Sequence, residues 1–154
     1  MKNKLLLVLA ATALSVSTAT AGDWDGGYIG LNYSFADDTG SPVNLAGVLA
    51  GYNWDMGTQV IGGEVELDWF PGSGVSYTSL NLRGGFEVSD STMIFGVLGY
   101  GARNNGTTKV TRFGIGAEAM VTDTISVRGD LMRWDEIGGT NYLNELKLGV
   151  AFHF

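Results

Sequence analysis

The stretch NELKLGVAFHF, residues 144–154, alternates between apolar residues and polar or small ones up to the last position of the chain. One face of the β-strand that this period predicts would carry Leu146, Leu148, Val150, Phe152 and Phe154. The other face would carry Glu145, Lys147, Gly149, Ala151 and His153. Because chain ends usually fray, a strand this regular at the terminus indicates that it pairs with another strand.

The same two-residue period recurs upstream, and no segment places apolar residues convincingly at helical spacing. Alternation is clear in six earlier segments: YIGLNYSF (28–35), GVLAGYNW (47–54), IGGEVELDW (61–69), LNLRGGFEV (80–88), RFGIGAEAM (112–120) and ISVRGDLM (125–132). The stretch MIFGVLGYGA (93–102) also reads as a strand, although its pattern does not assign its two faces. With the terminal segment, the sequence predicts eight strands.

Short polar breaks separate the strands and fall into two alternating sets. One set comprises residues 55–58, 89–91 and 122–124, and it recurs every 33 or 34 residues. The other set comprises residues 36–41, 71–76, 103–107 and 135–141. Four successive hairpins with this spacing fit an all-β, antiparallel up-and-down barrel better than a sandwich with crossovers. The last strand would then pair with the first, which closes the barrel and removes the sheet edges.

The first 21 residues are typical of a cleaved secretory signal peptide. Lys2 and Lys4 precede an apolar run over residues 5–14, and Ala19-Thr20-Ala21 forms a small-residue cleavage site. Residues 22–154 would then form a single barrel domain. Loss of the leader takes the net charge from −7 to −9, which argues against nucleic acid as a partner. The chain has no cysteine, so its stability must come from backbone pairing and packing.

Alternation alone fits either a soluble barrel with an apolar interior or a membrane barrel with an apolar exterior. The charged residues within the strands are sparse and share one face: Glu64, Glu66, Asp68, Arg83, Glu87, Arg112, Glu118, Arg128, Asp130, Glu145 and Lys147. Glycine is frequent on the same face, where it would leave room for long side chains inside a narrow eight-stranded barrel. Aromatic residues gather at the strand ends and suit the two boundaries of a bilayer: Trp24, Tyr33, Phe35, Tyr52, Trp54, Trp69, Phe70, Trp134, Tyr142, Phe152 and Phe154. The sequence therefore predicts an eight-stranded transmembrane β-barrel with short loops and its charged face inside.

Four stretches carry a family resemblance: AGDWDGGYIGLNYSF (21–35), AGVLAGYNW (46–54), FGIGAEAMVTDTISVRGDLMRWD (113–135) and KLGVAFHF (147–154). They resemble the small outer-membrane β-barrel proteins of Gram-negative bacteria, above all the opacity-type and porin-like surface antigens. The resemblance implies residence in the outer membrane and, as partners, its lipid, the barrel-assembly machinery and periplasmic chaperones. It also implies that Leu148, Val150, Phe152 and Phe154 carry the C-terminal signal that this machinery reads. The short predicted loops depart from the long, variable loops of many surface antigens.

The predicted lumen charges admit two functional interpretations. Glu64, Glu66 and Asp68 would stack up one wall, and the basic residues of other strands could neutralise them across a narrow lumen. We favour a structural or surface role with a salt-bridged, largely plugged lumen. The alternative is a narrow porin-like channel for small solutes or cations, since seven acidic residues face four basic ones. A monomer is expected, with no cofactor and no metal site.

A lipid-A-modifying enzyme is the remote third interpretation. Such catalysis would use a histidine with a serine and a carboxylate, and the only histidine here is His153. Because His153 alternates with the outward residues of the last strand, it is predicted to point inward at the periplasmic end. No serine and acid pair is predicted around it. We therefore expect no catalytic residue.

The outer rim of the barrel gathers charges that could contact lipopolysaccharide phosphates, directly or through divalent cations. These rim residues are Asp37, Asp38, Arg103, Lys109, Arg133, Asp135 and Glu136. Because turn acids are usually only solvated, lipopolysaccharide is expected here as a surrounding partner and not as a specific ligand.

Overall fold

The structure is a computed structural model and describes residues 24–154. The predicted signal peptide lies outside the described residues. Eight strands follow one another: β1 (Gly26–Asp38), β2 (Ser41–Asp55), β3 (Gln59–Trp69), β4 (Ser76–Ser89), β5 (Thr92–Arg103), β6 (Lys109–Met120), β7 (Ile125–Glu136) and β8 (Tyr142–His153). In the described part of the chain, no helix is both long enough and apolar enough to cross a membrane.

The strands form one closed antiparallel barrel in chain order. Each strand pairs with the next, and β8 closes the ring against β1 with Tyr28 opposite His153 and Leu31 opposite Val150. The backbone of Phe154 also donates to the carbonyl of Gly27 at 2.9 Å. Every strand thus has two partners, and the predicted eight-stranded up-and-down barrel is confirmed.

The connections are short at both ends of the barrel. The end that holds Trp24 and Phe154, here called the terminal end, has its turns at residues 56–58, 90–91 and 121–124. The opposite end, here called the loop end, has its turns at residues 39–40, 70–75, 104–108 and 137–141. The first of these is tighter than the predicted break over residues 36–41, because β1 and β2 stay paired as far as Asp38 opposite Ser41. Thr39 and Gly40 alone make this turn, with φ angles of 50° and 90° that match the twist of the hairpin.

The two faces of the barrel are inverted relative to a water-soluble protein. Large apolar side chains stand on the outside, with Leu31, Leu82 and Ile115 at 66%, 68% and 66% exposure. Charged side chains fill the inside, where Arg112 and Asp68 are completely buried. β5, whose faces the sequence left unassigned, directs Ile94, Leu98 and Tyr100 outward and Met93, Phe95 and Val97 inward.

Inward glycines leave the space that the long side chains occupy. A Cβ atom on Gly47 would lie 2.6 Å from Oδ1 of both Asn32 and Asp68. A Cβ atom on Gly116 would lie 2.6 Å from the ring of Phe95. In contrast, a Cβ on the outward Gly63 would meet nothing within 4 Å. Glycine at the inward positions is therefore a packing requirement of the narrow lumen.

The prediction of two aromatic belts is wrong for two of its residues. Trp24 and Trp134 are buried inside the barrel, with 0% and 2% exposure. Trp24 packs with the inward side chains of the terminal end, and Trp134 shares the parity of Arg128 and Asp130 on β7. Most of the remaining aromatic residues lie outward near the strand ends, and Phe70 packs with Tyr77 over the loop end.

Candidate functional site

The lumen is layered along the barrel axis, with apolar side chains at both ends and ionised ones between them. The terminal end is filled by Trp24, which precedes β1, and by Val60, Met93 and Met120 from strand ends on that side. The loop end is filled by Leu45, Val110, Trp134 and Leu143. Phe95, Val97 and Met132 continue the apolar packing along one wall of the lumen. The charged layer between these ends is consequently shielded from both mouths.

The half of the charged layer nearer the terminal end is built around Arg83 and Arg128. Arg128 Nη1 lies 2.7 Å from Glu64 Oε2, and its Nη2 lies 2.9 Å from Asp130 Oδ2. Arg83 Nη2 lies 2.6 Å from Glu118 Oε2. Since β7 and β3 stand on opposite walls, the pair between Arg128 and Glu64 crosses the lumen.

The half nearer the loop end holds three carboxylates between two cations. Arg112 Nη1 lies 2.9 Å from Glu66 and 3.1 Å from Asp68, and its Nη2 lies 3.6 Å from Glu145. Lys147 Nζ pairs with Glu66 and lies 3.6 Å from Asp68 and 3.5 Å from Glu145. Each cation therefore pairs with all three carboxylates, and the five side chains form one connected network.

Neutral and aromatic side chains complete this network. The guanidinium carbons of Arg83 and Arg112 lie 4.2 Å and 4.1 Å from the ring centroids of Phe95 and Trp134. Tyr28 donates to Glu64 at 3.0 Å. The lumen network predicted from the sequence omitted these three aromatic residues. Tyr28 nevertheless lies on the same face of β1 as the buried Asn32 and Ser34, and Trp134 lies on the same face of β7 as Arg128 and Asp130.

The structure brings ten of the eleven predicted lumen charges into ion pairs with one another. The eleventh, Glu87, is half-buried near the terminal end of β4. Arg83 differs from expectation in its partner, because it reaches Glu118 on β6 and not the acids of the adjacent β3. Of the predicted C-terminal signal, Leu148, Val150 and Phe152 lie on the outer face of β8, and Phe154 follows the strand with its side chain exposed. Recognition of these four residues by assembly machinery stays a prediction.

His153 points into the lumen at the terminal end, where it stacks on Tyr28 at 5.4 Å between ring centroids. The expectation that no serine and acid pair surrounds it is wrong. Ser126 Oγ lies 3.0 Å and Glu118 Oε1 lies 3.3 Å from His153 Nε2. Ser126 also donates to Glu118 at 2.5 Å and is completely buried. Sequence spacing could not reveal this cluster, because it joins three different strands.

The rim charges separate into two groups at the loop end. Arg133 and Asp135 stand on the outer wall, about 40% exposed and 2.9 Å apart. Asp38, Arg103 and Glu136 instead line a cavity at the barrel mouth. The predicted rim is thus divided between the membrane-facing wall and the mouth.

An apolar exterior, a closed ring of strands and an ionised interior together define a transmembrane β-barrel. A sequence profile of the family described as "Outer membrane protein beta-barrel domain" matches residues 6–154. The chain belongs to this family, and it is therefore an outer-membrane protein. No match was found among curated protein sequences.

Solved structures of outer-membrane barrels have the same fold. Neisserial surface protein A is 10% identical, with a TM-score of 0.58 over 84% of this chain and 97% of that one. Ail of Yersinia pestis, in complex with the heparin analogue sucrose octasulfate, is 13% identical, with a TM-score of 0.59 over 84% and 99%. The outer membrane enzyme PagL is 14% identical, with a TM-score of 0.58 over 81% and 99%. At these identities the likeness concerns the fold.

Proposed function

We propose that this protein is a structural component of the outer membrane, with a lumen closed by its own side chains and neither a channel nor an enzyme. The observation that carries the proposal is the ion-paired layer across the lumen. Arg128 reaches Glu64 on the opposite wall, and Arg112 and Lys147 join β6 and β8 to the acids of β3. An eight-stranded barrel has an interior just wide enough for side chains to fill.

Burial supports closure of the lumen. The side chains of the lumen ion pairs are at most 3% exposed to water, apart from that of His153 at 8%. A permeating ion would have to separate pairs whose charges lie about 3 Å apart in a region of low dielectric, at a cost of several kcal/mol per broken pair. It would also have to pass the layers that contain Trp24 and Trp134. The excess of acidic over basic residues in the lumen is therefore compatible with a barrel that does not conduct cations.

A planar-bilayer recording tests closure. The purified barrel should give no steady conductance above the lipid baseline, and neither should Asp135→Asn, which changes a charge on the outer wall. Steady, discrete, cation-selective steps that decrease in Glu66→Gln would overturn the proposal in favour of a narrow channel. Electrophoresis with and without boiling establishes that each sample is folded.

The geometry around His153 supports a non-catalytic role. In a catalytic triad, the acid orients the histidine through the ring nitrogen that does not face the serine. Here Ser126 and Glu118 both contact Nε2, and Glu118 is already engaged by Arg83. Ser126 has no exposed surface that could meet a lipid. Incubation with lipopolysaccharide carrying labelled acyl chains should release no label, and release that stops in Ser126→Ala would contradict this assignment.

This barrel is not expected to bind sucrose octasulfate, the ligand in the Ail complex. Sucrose octasulfate is a polyanion, and the loop-end mouth of this barrel presents two carboxylates, Asp38 and Glu136, beside the single cation of Arg103. Like charges would repel a sulfated ligand at this mouth. We therefore propose no binding of sulfated sugars.

A further inference from the structure

A cavity of about 150 Å³ opens at the loop end of the barrel, above the layer that contains Trp134. A bound water needs only about 10–15 Å³ of such volume, so the cavity can hold several waters or a small ligand. Its principal lining residues are Asp38, Tyr77, Arg103, Trp134, Glu136 and Tyr142. None of the ion-paired lumen residues lines this loop-end cavity, although Trp134 contacts both the cavity and Arg112. Because barrels of this kind have their longer loops on the extracellular side, the cavity faces the cell surface.

The deep part of the cavity is aromatic and apolar. The ring of Tyr77 lies 5.4 Å from that of Trp134 at an interplanar angle of 75°, and 6.3 Å from that of Phe70. Buried Val110 and Leu143 complete the apolar lining. Aromatic rings in a wet concave site supply large contact area at a low cost in conformational entropy.

The polar part of the cavity has unused hydrogen-bonding capacity of both kinds. Arg103 Nε is buried without a hydrogen-bond partner. Among residues 24–154, no ion pair joins Arg103 to Asp38 or to Glu136, although all three side chains line the cavity. Glu136 accepts one hydrogen bond, from Asn141 at 2.6 Å. Donors and acceptors that are not paired with each other remain available to a ligand.

We propose that the loop-end cavity binds one ring of an uncharged carbohydrate. The C–H face of a sugar ring packs on aromatic side chains, and each hydroxyl can both donate to a carboxylate and accept from a guanidinium. Asp38, Glu136 and Arg103 offer these complementary groups around one aromatic floor. A hydroxyl can use them without bringing a new charge into the cavity, whereas an ionic ligand would also have to be desolvated. The proposal goes beyond the structural role of the lumen and does not depend on it.

Saturation-transfer NMR on the folded barrel in lipid nanodiscs tests the proposal, with methyl β-glucoside as the probe. We expect transfer from the protein to the sugar ring protons. Arg103→Met removes the buried donor and should weaken binding about tenfold, since a hydrogen bond to a charged group is lost. Tyr77→Leu removes an aromatic ring and should weaken binding to a similar degree. Lys109→Met is the matched control, because that lysine is exposed at the loop end of β6 and does not line the cavity, and binding should be unchanged.

Further probes identify the class and the source of the ligand. Oligosaccharide released from lipopolysaccharide is a second arm, and transfer to its terminal sugars would identify the cell's own surface as the source. Transfer to the free glycoside alone would indicate a sugar from the surroundings. The proposal is overturned if no sugar receives saturation, or if Arg103→Met and Lys109→Met behave alike in folded samples. It is also overturned if only sucrose octasulfate or only a zwitterionic amino acid binds.

Discussion

Replacing Arg112 with methionine should be one of the most destabilising single changes in the lumen. Arg112 contacts Glu66, Asp68 and Glu145, and these three carboxylates share one other cation, Lys147. Methionine retains much of the side-chain volume but leaves three buried acids around a single ammonium group. Removing one partner of a buried ion pair costs about 3–5 kcal/mol. We expect a loss of that size in the free energy of unfolding, measured by urea titration of the barrel in lipid vesicles.

The control for this experiment is Arg133→Met. Arg133 also pairs with a carboxylate at 2.9 Å, but that pair is about 40% exposed on the outer wall. Exposed pairs contribute about 0–1 kcal/mol, so the control should unfold at nearly the wild-type urea concentration. Adding Asp68→Asn to Arg112→Met should recover part of the loss, because one unpaired charge disappears. Equal losses in Arg112→Met and Arg133→Met, or no recovery in the double variant, would refute the network described here.

Two further changes test the faces of the barrel in the same unfolding assay. Ile115→Arg places a cation on the lipid-facing wall at mid-strand, where the isoleucine is 66% exposed. It should lower the free energy of unfolding by about 2–4 kcal/mol. A decrease below about 1 kcal/mol would contradict the outward orientation of Ile115 on β6. Gly47→Ala should cost about 1–3 kcal/mol, because its Cβ would lie 2.6 Å from Asn32 and Asp68. Gly63→Ala, with nothing within 4 Å of its Cβ, should be nearly neutral, and equal effects at the two glycines would count against the packed lumen.

The alternation of apolar and polar residues was sufficient to predict the strands, their antiparallel order and the face of most residues. It failed on β5 for a physical reason. Phe95 lies beneath Arg83 at 4.2 Å and Arg128 at 5.2 Å, so the inner face of this strand is apolar although it faces charged groups. With lipid on one side and a cation–π surface on the other, both faces of β5 favour apolar residues. A strand with two apolar faces therefore shows no alternation of apolar and polar residues in its sequence.

The ion-pair partners could not be predicted, because alternation gives the face of a side chain but not its reach across the lumen. Glu118 stands directly opposite Arg128 in the register of β6 and β7, yet Glu118 pairs with Arg83 of β4. Arg128 instead crosses to Glu64 of β3. Long side chains in a narrow barrel find their partners around and across the cylinder as well as along the sheet. Pairs of this kind join walls that the backbone hydrogen bonds connect only indirectly, so the same contacts that favour closure of the lumen should also resist flattening of the barrel.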